Sequence, residues 1–218
     1  KGWFDGTDSE FRFCDAYCPI DFSGARACEA RAWAAFNILC DGRFCWEDET
    51  GSHEAAAADW LDFAMGHNLS HKMPLFVKPA RKVTVSALAD VMRDHFEGTP
   101  MDMTEDVGAG CCRTPYRWHP MSFELDGKEY VHERAIATQQ TGFWLLGQAR
   151  GNYPDEMGGI LWFGVDDAAT SALTPIYTNI TAIPECFRVG NGSMTEYSAT
   201  SAFWQFNKVT HFAYLFYD

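Results

Sequence analysis

With 218 residues, 47% of them hydrophobic and 22% charged, the chain is long enough to bury a core and too apolar to be disordered. Seventeen Lys and Arg against 30 Asp and Glu give a net charge of −13, the wrong sign for binding nucleic-acid phosphates or an anionic lipid surface. No apolar run approaches the roughly 20 residues of a membrane-spanning helix, so the chain reads as soluble, either cytoplasmic or secreted. The aromatic share of 15% predicts a core or pocket walled by rings.

Lys1 opens the sequence with neither Met nor an apolar leader behind it, the start expected of a processed protein or an internal fragment. Cys14, Cys18, Cys40 and Cys45 have spacings looser than those of zinc ribbons, so buried or partly disulfide-bonded cysteines are expected rather than a metal site. Neither metal nor cofactor is assigned. Sequons at Asn68, Asn179 and Asn191 matter only in a secretory protein.

The stretch Ala25 to Leu39 is rich in helix formers and predicts a helix ending near Gly42. Trp46 to Ser52 reads as an acidic loop, and Glu54 to Met65 as a second helix closed by Gly66. His67 and His71 lack an HExxH frame and read as a loop pair rather than metal ligands. From Thr84 or Ser86 to Glu97, Val85, Leu88, Met92 and Phe96 fall at helical spacing behind an N-cap hydroxyl. Within it, consecutive Arg93, Asp94 and His95 point in different directions and cannot converge as a triad.

After Cys111 the pattern turns to strands. Met121 to Leu125, the turn Asp126-Gly127, and Lys128 to Ala137 predict a hairpin. Gly142 to Ala149 and Gly159 to Val165 predict a second one, with further short strands near Thr174 to Ile180 and through Phe203 to Tyr217. Helices followed by antiparallel strands give an α+β class. Residues 1–110 form its helix-rich part and 111–218 its strand-rich part, within one domain.

Several phrases then occur in one order: RDHFEGTPMD from Arg93, GAG from Gly108, PYRW from Pro115, ERAIATQQTGF from Glu133, GGILWFGVDD from Gly158, TPIYTNITAIPECFRVGNG from Thr174 and SAFWQFN from Ser201. Together they resemble the cysteine-nucleophile dipeptidases among the N-terminal-nucleophile (Ntn) hydrolases, relatives of penicillin V acylase. The resemblance implies a four-layer αββα sandwich with antiparallel sheets and hydrolysis of short peptides. It also implies an N-terminal cysteine whose own α-amino group, with a pKa of roughly 7.7 to 8.0, takes the thiol proton. Lys1 cannot serve, so the nucleophile is expected upstream and the chain alone is expected to be inactive.

What remains for this chain is substrate binding and oxyanion donation. Thr138, Gln139, Gln140 and Thr141 put four polar side chains ahead of an apolar strand, with Gln139 or Gln140 as an amide donor. A satisfied strand edge explains them equally well. Gln148 and Arg150, at the far end of that strand, are candidates to bind a carboxylate. Arg134 beside Glu133 reads first as a surface ion pair and second as a substrate clamp. The expected partners are a short peptide, the missing N-terminal part of the same protein and a second copy of the chain. The competing reading is a non-catalytic homologue or fragment that binds peptides or packs into an assembly.

Overall fold

In a computed structural model, which describes residues 2–8, 10–117, 122–132, 134–215 and 217, the chain divides into two units. Residues 1–80 with 120–134 make the first, and residues 81–119 with 135–218 the second.

In the first unit, the expected long helix forms as a wide π-type turn, Ala25–Glu29, running into α1 (Ala30–Leu39). Trp33 anchors it, donating its indole N–H to the Ala57 carbonyl at 2.8 Å. Two expectations fail next. The stretch read as a loop and a helix start is an antiparallel hairpin, β1 (Arg43–Asp48) and β2 (Gly51–Ala56). The Phe44 side chain is fully buried and stacks on Trp60 at 5.3 Å. The Ala57 amide donates to the Gly42 carbonyl at 2.9 Å, which closes the ladder. Pairing and ring burial thus override the helix preference of the alanines. Helical turns resume only at Ala57–Trp60 and Leu61–Ala64, with Gly66 beyond them at φ +81°. His71 stacks on Trp60 at 5.4 Å, a ring contact rather than a ligand role.

The Asp-Gly hairpin is present as β3 (Ser122–Leu125) and β4 (Lys128–Val131). Asp126 at φ +53° and Gly127 at φ +72° supply the two left-handed residues of a type I′ turn. The second strand stops at Val131 rather than Ala137, and Met121 lies outside the described residues.

In the second unit, α2 (Val85–Met92) starts on Thr84, whose hydroxyl accepts the Ala87 amide at 3.1 Å. It ends at Met92, short of the expected Glu97. Arg93 donates to the carbonyls of Ala168 and Ser171 at 3.0 and 3.2 Å, and the Asp94 carboxylate accepts the Phe96 amide at 3.1 Å. Phe96 then turns into the interior at φ +65°. These tertiary bonds capture the chain where helical periodicity alone would continue.

The strands β5 (Phe143–Ala149), β6 (Gly159–Val165) and β7 (Thr174–Tyr177) form an antiparallel sheet in that order, with the hairpin expected from the sequence at its centre. Strand alternation sends Trp144 and Leu146 into the core against Val85, Leu88 and Met92 of α2. Phe143 and Leu145, on the opposite face, stay 63% and 47% exposed. Gly164 is required here, because a Cβ would come within 2.3 Å of the Trp144 indole nitrogen. The last expectation to fail is the strand over Phe203 to Tyr217, which is a helix of 14 residues, α3 (Ala202–Leu215). Its aromatic residues favour strands, yet Ala202, Phe206, Thr210 and Ala213 recur at helical spacing and sit on its more buried side.

The fold is α+β, with helices and small antiparallel sheets. Among the described residues no helix is long and apolar enough to cross a membrane.

Candidate functional site

Helix α3 places Asn207, Thr210, His211 and Tyr214 on one face by their three- and four-residue spacing. That face meets the end of β6, where the strand passes directly into Asp166. The Asp166 amide extends the ladder by donating to the Gly142 carbonyl at 2.9 Å, and its backbone then turns left-handed at φ +67°. Aspartate is among the few residues besides glycine that adopt this conformation readily. A cavity of about 640 Å³ opens there, lined by these residues, by Gln139 and Gln140 from the turn before β5, and by Tyr116 and Leu215. Its volume lies within the roughly 300 to 1,000 Å³ of small-molecule sites.

Asp166 is 3% exposed and its neighbour Asp167 is 0% exposed. The Thr210 hydroxyl donates to Asp166 Oδ2 at 2.9 Å, and the Asn207 side chain adds a second hydrogen bond. Burial pushes the Asp166 carboxyl above its ordinary range, against those two hydrogen bonds. Asp167 is held differently: the Tyr214 hydroxyl and the Ala169 amide both donate to it, the latter at 3.0 Å. Burial, with the Asp167 charge beside it, drives the Tyr214 phenol far above its usual value, so it remains a donor at neutral pH.

Of the residues singled out from the sequence, Gln139 and Gln140 reach the cavity. The Gln139 amide nitrogen donates to the Arg117 carbonyl. Arg117 is itself buried, bonded to Asp106 at 2.6 Å and to the Met103 carbonyl at 2.9 Å. Thr138 donates to Gln140 Oε1 and accepts the Gln140 amide at 3.2 Å, which fixes the turn without lining the cavity. Among the described residues the Gln140 side-chain nitrogen has no hydrogen-bond partner, so it is the free donor of the set.

Gln148 and Arg150 lie at the other end of β5. Gln148 accepts the Trp162 indole N–H at 3.1 Å. Arg150 lies 4.3 Å over the Tyr153 ring and donates to the Met157 carbonyl. Arg134 is exposed, and Glu133, its expected ion-pair partner, lies outside the described residues, as does Trp118 of the PYRW phrase. Asp166, Asn207, Thr210 and Tyr214 were not singled out. The periodic polar residues of α3 were the available signal, and a strand reading of that segment hid it.

Two other clusters bear on chemistry. His95 is 2% exposed; its Nδ1 meets Glu97 Oε1 at 3.0 Å, and its buried Nε2 has no hydrogen-bond partner among the described residues. Burial raises the Asp94 carboxyl beside it to about 6. The Sγ atoms of Cys111 and Cys112 lie 3.8 Å apart, beyond disulfide length. Among the described residues no group of three or more His, Cys, Asp or Glu is placed to hold a metal ion.

A family model for peptidase family C69 matches residues 1–218. The probable dipeptidase B of Lactococcus lactis subsp. lactis (strain IL1403) is 25% identical to this chain over 135 residues, which are 62% of this chain and 24% of that protein. The chain thus spans about a quarter of the length of the curated relative it matches. No solved structure matches it.

Proposed function

The chain belongs to peptidase family C69, and on that ground we propose that it is the substrate-binding part of a dipeptide hydrolase whose nucleophile is a cysteine outside these 218 residues. The observation that carries this reading is the cavity at the end of β6: it is of ligand size and rich in amide donors and acceptors. It contains no cysteine among its lining residues. In this reading a terminal thiol gives its proton to its own α-amino group and its sulfur attacks the peptide carbonyl carbon. The C–N bond then breaks, the departing amine takes the proton, and water hydrolyses the thioester. Gln140, with Gln139 held in place by Arg117, supplies side-chain N–H groups to the developing oxyanion or to a substrate carbonyl.

The sheet supports the four-layer form of this proposal. One face is covered by α2, while the other presents Phe143, Leu145 and Leu161, all substantially exposed. A second sheet packed there, about 10 Å away, would complete an αββα sandwich with both units inside one hydrolase domain.

The test is dipeptide turnover by the intact protein as purified from its source, with its N-terminus sequenced and its thiols alkylated in parallel. Turnover that is lost when a single N-terminal cysteine is alkylated is the expected result. Peptide binding without turnover, in a protein with no N-terminal cysteine, would instead favour a binding homologue.

A further inference from the structure

We propose that the Asp166 carboxylate anchors the free α-ammonium of a short peptide, making the cavity selective for unblocked N-termini. The inference rests on the peptide-hydrolase reading and adds the substrate feature that this site selects. Its basis is an imbalance of charge. Asp166 is almost wholly buried, yet its side chain lines a cavity large enough for a dipeptide. Its partners, Thr210 and Asn207, are both neutral. No Lys or Arg lines the cavity, and His211, which can carry a positive charge, is exposed. A buried carboxylate without a cation is costly, and a cation brought by a ligand removes that cost.

The surroundings narrow the kind of cation. A hard metal ion would seek six or more oxygen ligands, several of them charged, and Asp166 is the one carboxylate among the residues lining this cavity. An ammonium carries three N–H donors and is matched by a single anion; the Asp166 oxygens and the Thr210 hydroxyl oxygen, 2.9 Å from Oδ2, are acceptors on this wall. An α-ammonium also brings a peptide carbonyl two bonds away, and Gln139 and Gln140 place amide donors on the same cavity wall. The Tyr116 and Tyr214 rings, 6.1 Å apart, offer apolar surface beside this polar pair.

The experiment compares alanyl-phenylalanine with its N-acetyl derivative on the intact protein, as wild type, as Asp166→Asn and as His211→Lys. Asn is nearly isosteric and can still accept from Thr210. His211 is exposed and lines the cavity, so His211→Lys brings a competing ammonium there with little risk to folding. Both variants should raise KM for the free dipeptide about 10- to 100-fold with kcat much less affected. KM for the acetylated peptide should stay within about twofold. Equal losses on both peptides, or no loss on either, would overturn the assignment.

If neither peptide is turned over by wild type, the hydrolase reading fails on its own. Calorimetric binding of the same two peptides then decides: weaker binding of the free peptide alone in the two variants upholds the anchor. Unchanged discrimination between the peptides rejects it.

Discussion

Each unit contains a cavity of comparable size, about 610 Å³ beside Trp46 and Trp60 in the first and about 640 Å³ beside Asp166 in the second. Much of the first is paired internally. Trp46 stacks on His53, Trp60 on His71, and Lys72 pairs with Asp15. Of its two carboxylates, Glu47 and Asp48, the latter accepts hydrogen bonds from the Thr50 side chain, His53 and the Thr50 amide, and these hold it far below the usual range. The second contains a carboxylate that burial pushes the opposite way. Volume does not separate the two; the balance of charge does. A cavity whose rings and ions already have partners offers a ligand little, while one with an uncompensated anion offers it a defined interaction.

The widest gap between the two regions should appear when Trp60 is changed to Ala. The side chain is 5% exposed, stacks on Phe44 and His71, and donates to the Lys72 carbonyl at 3.2 Å. Its removal should cost about 3–5 kcal/mol of stability in the first unit. Affinity for a dipeptide should be unchanged, as read by chemical denaturation and calorimetry on one preparation. A loss of peptide binding at full folding would break the contrast by making the Trp46–Trp60 pocket a ligand site. Arg117→Ala is the complementary change. Breaking its buried bond to Asp106 should cost about 2–3 kcal/mol, discounted because Asp106 is partly exposed. Peptide binding should change little, since Gln139 donates to the Arg117 main-chain carbonyl, which alanine retains.

Titration should divide the units with opposite signs. Asp94, raised to about 6 from an ordinary 3.8, and Asp166, raised by burial, bind a proton more tightly folded than unfolded. Their contribution to stability is complete below the unfolded value and is lost as pH rises through the folded one. Asp48, lowered by its hydrogen bonds, behaves in reverse: its contribution is present above 3.8 and is lost as pH falls. Amide hydrogen exchange followed downward from about pH 6.5 should therefore show protection rising around α2 and β6 above about pH 4, and falling around the β1–β2 hairpin only below the ordinary carboxylate value of 3.8. For Asp94 the expected size is roughly 1–2 kcal/mol, reduced for its partial exposure. Asp94→Asn should remove its share, and an unchanged profile in that variant would assign the effect elsewhere.

The same contrast explains what the sequence made legible. Helix α1, the Asp-Gly hairpin and the β5–β6 pair were readable because each carries a local signal: helix formers, a turn dipeptide, or a paired apolar run. The β1–β2 hairpin and α3 were not. In the first, Ala-rich residues become a strand because Phe44 is buried and stacked on Trp60, more than ten residues away in sequence. In the second, aromatic residues with strand preference become a helix. Gln139 and Gln140 were found because four polar residues in a row stand out, whereas Asp166 lay just past the apolar run Gly159 to Val165. Its importance arises only when α3 closes over it, a long-range event between residue 166 and residues 207–214 that no local pattern encodes.

The smallest effects should come from the far end of β5, and they test whether the sheet carries one polar site or two. Gln148 accepts from Trp162, and Arg150 is held by Tyr153 and by the Met157 carbonyl, so neither is poised for a substrate carboxylate. Gln148→Ala leaves an indole N–H that water can reach, because Trp162 is only partly buried. Arg150→Ala forfeits its contacts with the Tyr153 and Tyr177 rings and the bond to the Met157 carbonyl, at a partly exposed position. Each should cost less than about 1 kcal/mol. Neither should move KM or Kd for a free dipeptide by more than about twofold. A selective loss of affinity for peptides with a free C-terminus, sparing their amides, would show that Arg150 leaves Tyr153 to bind a carboxylate. The site would then take peptides of about six residues, which alone are long enough to reach along β5 from Asp166 to Arg150, rather than dipeptides.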